Sequence, residues 1–174
     1  MELSKDNVIP FIQDDGTLYF LLVSPPIVIE KIFELANLRS DETIYDLGSG
    51  DGRIIIHAGQ KYGVKAVGIE SNKELFDYSI KKIHELGLEK RVQVIYGDIY
   101  ESDISEADVI IIYLDQKDIN ERLRVKLEKR MKEGGRVITV NLYIPGWRPV
   151  KLSEVVDCKN NYTIYLYQKE SIEY

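Results

Sequence analysis

Thr43-Ile44-Tyr45-Asp46-Leu47-Gly48-Ser49-Gly50-Asp51-Gly52 is the stretch that decides how this chain folds. An apolar run carries Asp46 near its end, three glycines then fall within five positions, and a helix-like stretch, Arg53 to Tyr62, follows. Glycine reaches positive φ and leaves no Cβ in the way, so this is a turn by which a strand enters a helix around a nucleoside. The spacing narrows the ligand. A dinucleotide fingerprint reads G-x-G-x-x-G, whereas this loop reads G-x-G-x-G with a carboxylate two residues ahead of it. Asp46 would repel a pyrophosphate and suits a cationic, phosphate-free ligand.

S-adenosylmethionine, with a sulfonium and an ammonium, is such a ligand, and two further acids extend the pattern. Val64-Lys65-Ala66-Val67-Gly68-Ile69-Glu70 predicts a second strand that ends in an acid 24 positions after Asp46, near the offset at which a Rossmann-type acid meets ribose hydroxyls. Arg91-Val92-Gln93-Val94-Ile95-Tyr96 predicts a third strand running into Gly97-Asp98-Ile99, which puts Asp98 where an adenine amino group can donate to it. All three acids then stand at the carboxyl edge of one parallel sheet, the usual binding crevice of such folds. The alternative is that Glu70 and Asp98 are helix caps or turn acids.

The alternation of strand and helix signals predicts an α/β fold, a mostly parallel sheet with helices on both faces. Asn72 to Leu86 is a predicted helix, with Phe76, Ile80 and Ile83 on one face and Gly87 ending it. Val109 to Tyr113 is an unbroken apolar strand, Gln116 to Met131 an amphipathic helix, and Arg136 to Leu142 the fifth strand. Ser153 to Val156 and Tyr162 to Tyr167 form a C-terminal antiparallel hairpin, joined to the fifth strand by a short connection without a helix. Ahead of these, Ile9 to Val23 holds apolar runs around Asp14-Asp15-Gly16, a two-stranded N-terminal flap that is either an edge hairpin or a lid. Pro25-Pro26 opens a helix to Leu38 that packs through Ile29, Ile32, Phe33 and Ala36. Residues 1–24 are thus expected as the flap and 25–174 as the main domain.

Composition excludes several classes. The 174 residues suit one core, and the single cysteine with two histidines supports neither an internal disulfide nor a transition-metal site. No apolar run approaches the ~18 residues of a membrane span, so a cytoplasmic protein is expected, without membrane contact. The net charge of −6 without a Lys/Arg block makes nucleic acid an unfavourable partner.

With these residues in place the chain resembles the class I S-adenosylmethionine-dependent methyltransferases. Within them it is most similar to a branch of archaeal protein-lysine methyltransferases and their mitochondrial lysine-methylating relatives. The likeness runs from Val23 to Tyr167 through Ser24-Pro25-Pro26, Tyr45 to Ile54, Asp103 to Asp108 and Gly146-Trp147. It implies a Rossmann-like fold with a seven-stranded sheet. It also implies S-adenosylmethionine as methyl donor, S-adenosylhomocysteine as product, and protein substrates with accessible lysines, for an enzyme acting as a monomer. The implied cofactor contacts are Asp46, Gly48, Gly50 and Glu70, with Asp98 near the adenine and main-chain atoms of Ser49, Ile99 and Tyr113. Two departures stand out: the insertion of Ile12 to Leu22 ahead of Ser24, and a fourth strand ending Tyr113-Leu114-Asp115 rather than in an Asn/Asp-Pro-Pro-Tyr/Phe pattern.

Methyl transfer is an in-line displacement whose electrophile the cofactor supplies, so the protein mainly has to align an acceptor lone pair. Tyr113, at the carboxyl end of strand four, is the first candidate to line the acceptor channel, or else it packs on the cofactor. Asp115 and Asn141 are candidates to accept an amine proton or hydrogen bond, against ordinary capping roles. Trp147 either covers the site or joins a satellite core, and Arg53 is assigned no chemistry. The leading expectation is a protein-lysine N-methyltransferase. Its rivals are a methyltransferase for a small molecule or RNA, a non-catalytic nucleoside-binding module and, remotely, a nicotinamide dehydrogenase.

Overall fold

A computed structural model of the chain describes residues 8–12, 18–114, 119–157 and 160–169. Two short strands, β1 (Val8–Ile12) and β2 (Leu18–Leu22), pair antiparallel as a separate two-stranded sheet, as expected of the flap. Its tip, Asp14-Asp15-Gly16, lies outside the described residues. Helix α1 (Pro26–Ala36) follows; Pro26 sits in its first turn, where a missing N–H costs nothing, and Asn37 closes it in the left-handed region.

The main sheet has seven strands. They are β3 (Thr43–Leu47), β4 (Lys65–Glu70), β5 (Val92–Tyr96), β6 (Val109–Ile112), β7 (Arg136–Val140), β8 (Lys151–Asp157) and β9 (Asn160–Gln168), in the spatial order β5-β4-β3-β6-β7-β9-β8. Strands β5 through β7 are parallel and β9 is antiparallel to both its neighbours. The order reverses between β3 and β6, and at such a switch point the loops leave in opposite directions and open a crevice.

Burial on both faces explains the near-continuous Ile/Val runs of the central strands. On one face Ile44, Ala66, Val94, Ile111 and Ile138 pack with α1, with α2 (Arg53–His57) and with Ile83 of α3 (Lys73–Glu85). On the other, Leu47, Ile69, Ile110 and Ile112 pack with Leu123 and Leu127 of α4 (Glu121–Arg130) and with Ile104 and Trp147. Each such buried aliphatic side chain contributes about 1.5–3 kcal/mol. Trp147 is core, not cover: it is 1% exposed, meets Tyr167 edge-on and donates its indole N–H to Glu128 at 3.1 Å. No described helix is long and apolar enough to cross a membrane.

Two helices depart from the expected pattern. Of the face expected on α3, Ile83 is buried and Phe76 half-buried, but Ile80 is exposed. The inward row is Leu75, Ser79 and Ile83, because a serine occupies a position that hydrophobic periodicity reads as solvent. Helix α4 starts later than expected, at Glu121, with the Asn120 side chain accepting the Leu123 N–H as its cap; Ile119, Leu123, Leu127 and Met131 are nevertheless all buried.

Candidate cofactor site

Register brings the sequence-predicted acids to one edge. Asp46 pairs with Gly68 on β4 and Ile111 on β6, and Glu70 pairs with Tyr96 on β5. Side chains two apart share a sheet face, and Ile44, Ala66, Val94 and Ile111 all belong to the core beneath α1. Asp46, Glu70, Tyr96 and Tyr113 are therefore a row on that same face, at the carboxyl ends of four adjacent parallel strands.

The glycine loop bends over this row. The Gly48 and Ser49 N–H groups both donate to the Ile69 carbonyl, at 2.9 and 3.0 Å, which turns the chain sharply off β3. Gly48 adopts φ +81°, and a Cβ there would stand 2.4 Å from a Leu114 methyl, so both conformation and space demand glycine. Glu70 clamps the loop from β4: its Oε2 accepts the Gly50 N–H at 2.7 Å and its Oε1 the Asn72 N–H at 2.7 Å. A carboxylate offers about four lone-pair sites, so these bonds leave acceptor capacity for ribose hydroxyls.

Sequence reasoning missed two supports. Ser79, fully buried on α3, donates to the Gly50 carbonyl at 3.0 Å and lies where a Gly52 Cβ would fall. Its signal is a lone serine on the inward helical row, which the apolar pattern hides. Arg53 holds the Asp51 carboxylate through Nε and Nη2 at 2.8–3.0 Å, and its Nη1 donates to the Ser24 carbonyl at 3.2 Å. That ties the loop to the chain ahead of α1.

Charge in the site is one-sided. Asp46 is 2% exposed, and burial, then Glu70, then Asp51 push its carboxyl well above the usual range. Burial also raises Glu70, with the Asn72 and Gly50 N–H groups pulling the other way. Asp51 has Arg53 as counter-ion, whereas Asp46 faces only acids. The Ser49 hydroxyl is buried and has no hydrogen-bond partner among the described residues. A buried acid without a cation and an orphaned hydroxyl beside glycine N–H groups are the features an ammonium- and sulfonium-bearing nucleoside would satisfy, so the residues fit S-adenosylmethionine.

The other candidates divide. Asp98 and Ile99 follow β5, at the outer end of the row; Asp98 is exposed and its Oδ1 accepts the Tyr100 N–H at 2.8 Å. Tyr113 packs against the core with its phenol pushed up to about 12 by burial and by Tyr162, so it stays neutral at physiological pH. Asn141 is used otherwise: at φ 57° it exchanges bonds with Thr163, its N–H donating at 2.7 Å and its Oδ1 accepting at 2.8 Å. Asp115 lies outside the described residues.

Gly68 offers a direct check of this geometry. A Cβ there would stand 2.5 Å from the Ser49 hydroxyl and 2.9 Å from an Ile55 methyl. Gly68→Ala is expected to cost about 1–3 kcal/mol by overpacking and to weaken S-adenosylhomocysteine binding, read by denaturation and calorimetry. Wild-type values for both would mean that β4 and the loop are not in contact.

Comparison with known proteins agrees with this site. The family profile described as the ANTKMT methyltransferase domain matches residues 46–151, which spans the glycine loop, Glu70, Asp98 and Tyr113. The chain is 41% identical over 145 residues to a protein-lysine N-methyltransferase of Saccharolobus islandicus, covering 83% of this chain and 89% of that one. It is 32% identical over 122 residues to a human ATP synthase lysine N-methyltransferase, spanning 70% of this chain but only 51% of the human protein. Among solved structures, an RNA methyltransferase from Salinibacter ruber in complex with S-adenosyl-L-homocysteine is 34% identical with a TM-score of 0.77, covering 84% of this chain and 92% of that one. On the strength of the matched segment and these relatives, the chain belongs to the ANTKMT methyltransferase domain family.

Proposed function

We propose that this protein is a protein-lysine N-methyltransferase that takes its methyl group from S-adenosylmethionine. The observation that carries the reading is the 41% identity to the archaeal protein-lysine N-methyltransferase over most of both chains, together with an acid-lined crevice that lacks a cation. The cofactor supplies the electrophilic methyl; the chain's own residues bind and align. Asp46 would hold the ammonium, Glu70 the ribose hydroxyls and Asp98 the adenine amino group, each from the end of a different strand. A lysine acceptor must lose a proton, at a cost of about 4–5 kcal/mol at neutral pH, and an apolar pocket lowers that cost.

Tyr113 stands beside the switch point with a neutral phenol, so its hydroxyl oxygen can accept an amine N–H and orient the lone pair. Tyr113→Phe is expected to lower kcat about tenfold with KM for the cofactor unchanged, measured at saturating acceptor. Unchanged kcat would leave the ring alone as the contribution of Tyr113.

RNA as acceptor is the second reading, favoured by the Salinibacter ruber structure and opposed by the net charge of −6. Incubation of enzyme and methyl-labelled S-adenosylmethionine with a cell extract separates the two. Label that survives ribonuclease and is lost to protease supports a protein acceptor, and the reverse pattern assigns RNA.

A further inference from the structure

Lys126 is a half-buried lysine on α4 that spends its charge on backbone. Its Nζ donates to the Ile99 carbonyl at 2.5 Å and to the Ser102 carbonyl, both in the loop that leaves β5. The same loop is tied to α4 at three further points. The Asn120 amide donates to the Tyr100 hydroxyl at 2.9 Å, the Arg122 guanidinium lies over the Tyr100 ring at 4.8 Å, and Arg122 also pairs with Glu101. The Asn120 and Arg122 attachments are exposed, where such contacts contribute little. The ammonium of Lys126 is the one that enters the loop, bridging carbonyls on either side of Tyr100 and Glu101.

That loop begins at Asp98. The Asp98 carbonyl accepts the Ser102 N–H and hydroxyl at 2.9 and 2.8 Å, and its Oδ1 accepts the Tyr100 N–H. A tight turn of this kind moves as a unit, so whatever fixes Ile99 and Ser102 fixes the direction of the Asp98 carboxylate. We infer that Lys126 is the positioning residue for adenine recognition, holding the turn so that the Asp98 carboxylate meets the exocyclic amino group of the cofactor's base. This rests on the cofactor reading above and goes beyond it by naming what sets base selectivity. An adenine N–H donates to a carboxylate, whereas hypoxanthine presents a carbonyl oxygen that the carboxylate repels; selectivity therefore depends on where Asp98 points.

The test is the ratio of dissociation constants for S-adenosylhomocysteine and S-inosylhomocysteine, by calorimetry, in wild type, Lys126→Met, Lys126→Arg and Asp98→Asn. Wild type is expected to prefer the adenosyl ligand. Lys126→Met should reduce that preference about tenfold, the scale of one charge-assisted hydrogen bond, with Lys126→Arg recovering part of it. Lys126→Met combined with Asp98→Asn should do no more than Asp98→Asn alone. If Lys126→Met weakens both ligands equally, leaving the ratio as in wild type, Lys126 only supports the fold and the inference fails. If wild type binds neither ligand, the cofactor reading fails and takes this inference with it.

Discussion

Asp46→Asn is expected to weaken S-adenosylhomocysteine binding about a hundredfold, the scale of a lost charge-assisted bond in a desolvated site, while stabilising the ligand-free protein at neutral pH. The second half follows from the sign of the titration. Burial, Glu70 and Asp51 raise the Asp46 carboxyl well above its unfolded value, so between the two values the native state binds more protons than the unfolded chain. Stability then falls as pH rises through that window, and at neutral pH Asp46 is a cost that the folded protein carries for its ligand. Asparagine is isosteric and removes that cost. Calorimetric titration and thermal melts across pH check both halves: unchanged affinity would show that the ammonium is held elsewhere, and a lower melting temperature would show that Asp46 already has a counter-ion.

Glu70→Ala should act in the opposite sense on stability. Both of its oxygens hold backbone N–H groups, Gly50 across the loop and Asn72 at the start of α3. Removing the carboxylate leaves two donors unpaired in a buried turn, at about 1–3 kcal/mol each. Denaturation should therefore show a loss of about 2–5 kcal/mol, and cofactor binding should fall below detection as the loop opens and the ribose loses its acceptor. Glu70→Gln retains one carbonyl acceptor and should fall between. If Glu70→Ala matches wild type in stability, the loop is not clamped from β4. The two variants thus separate an acid that only binds from one that also builds the site.

Much of this was legible because strand ends announce themselves. Asp46, Glu70 and Asp98 each close an apolar run, and parallel register carries them to one edge whatever the helices do. Hydrophobic periodicity served less well where a polar side chain faces inward: Ser79 displaced Ile80 from the buried row of α3 because its hydroxyl has the Gly50 carbonyl to bind. Arg53 and Lys126 were invisible for a related reason. Their partners are backbone carbonyls at Ser24, Ile99 and Ser102, and a carbonyl has no side chain by which a sequence can advertise it. Asn141 was misleading in the other direction: a polar residue after β7 suggested chemistry, yet its left-handed backbone and its bonds to Thr163 mark it as the point where β7 leaves β9.

Acid hydrolysis of proteins labelled by this enzyme with methyl-labelled S-adenosylmethionine, followed by amino-acid separation, tests the central claim most directly. Label recovered as Nε-methylated lysine with wild type, and absent with Asp46→Asn, is the result expected. Label found in any other product, or undiminished by Asp46→Asn, would contradict it.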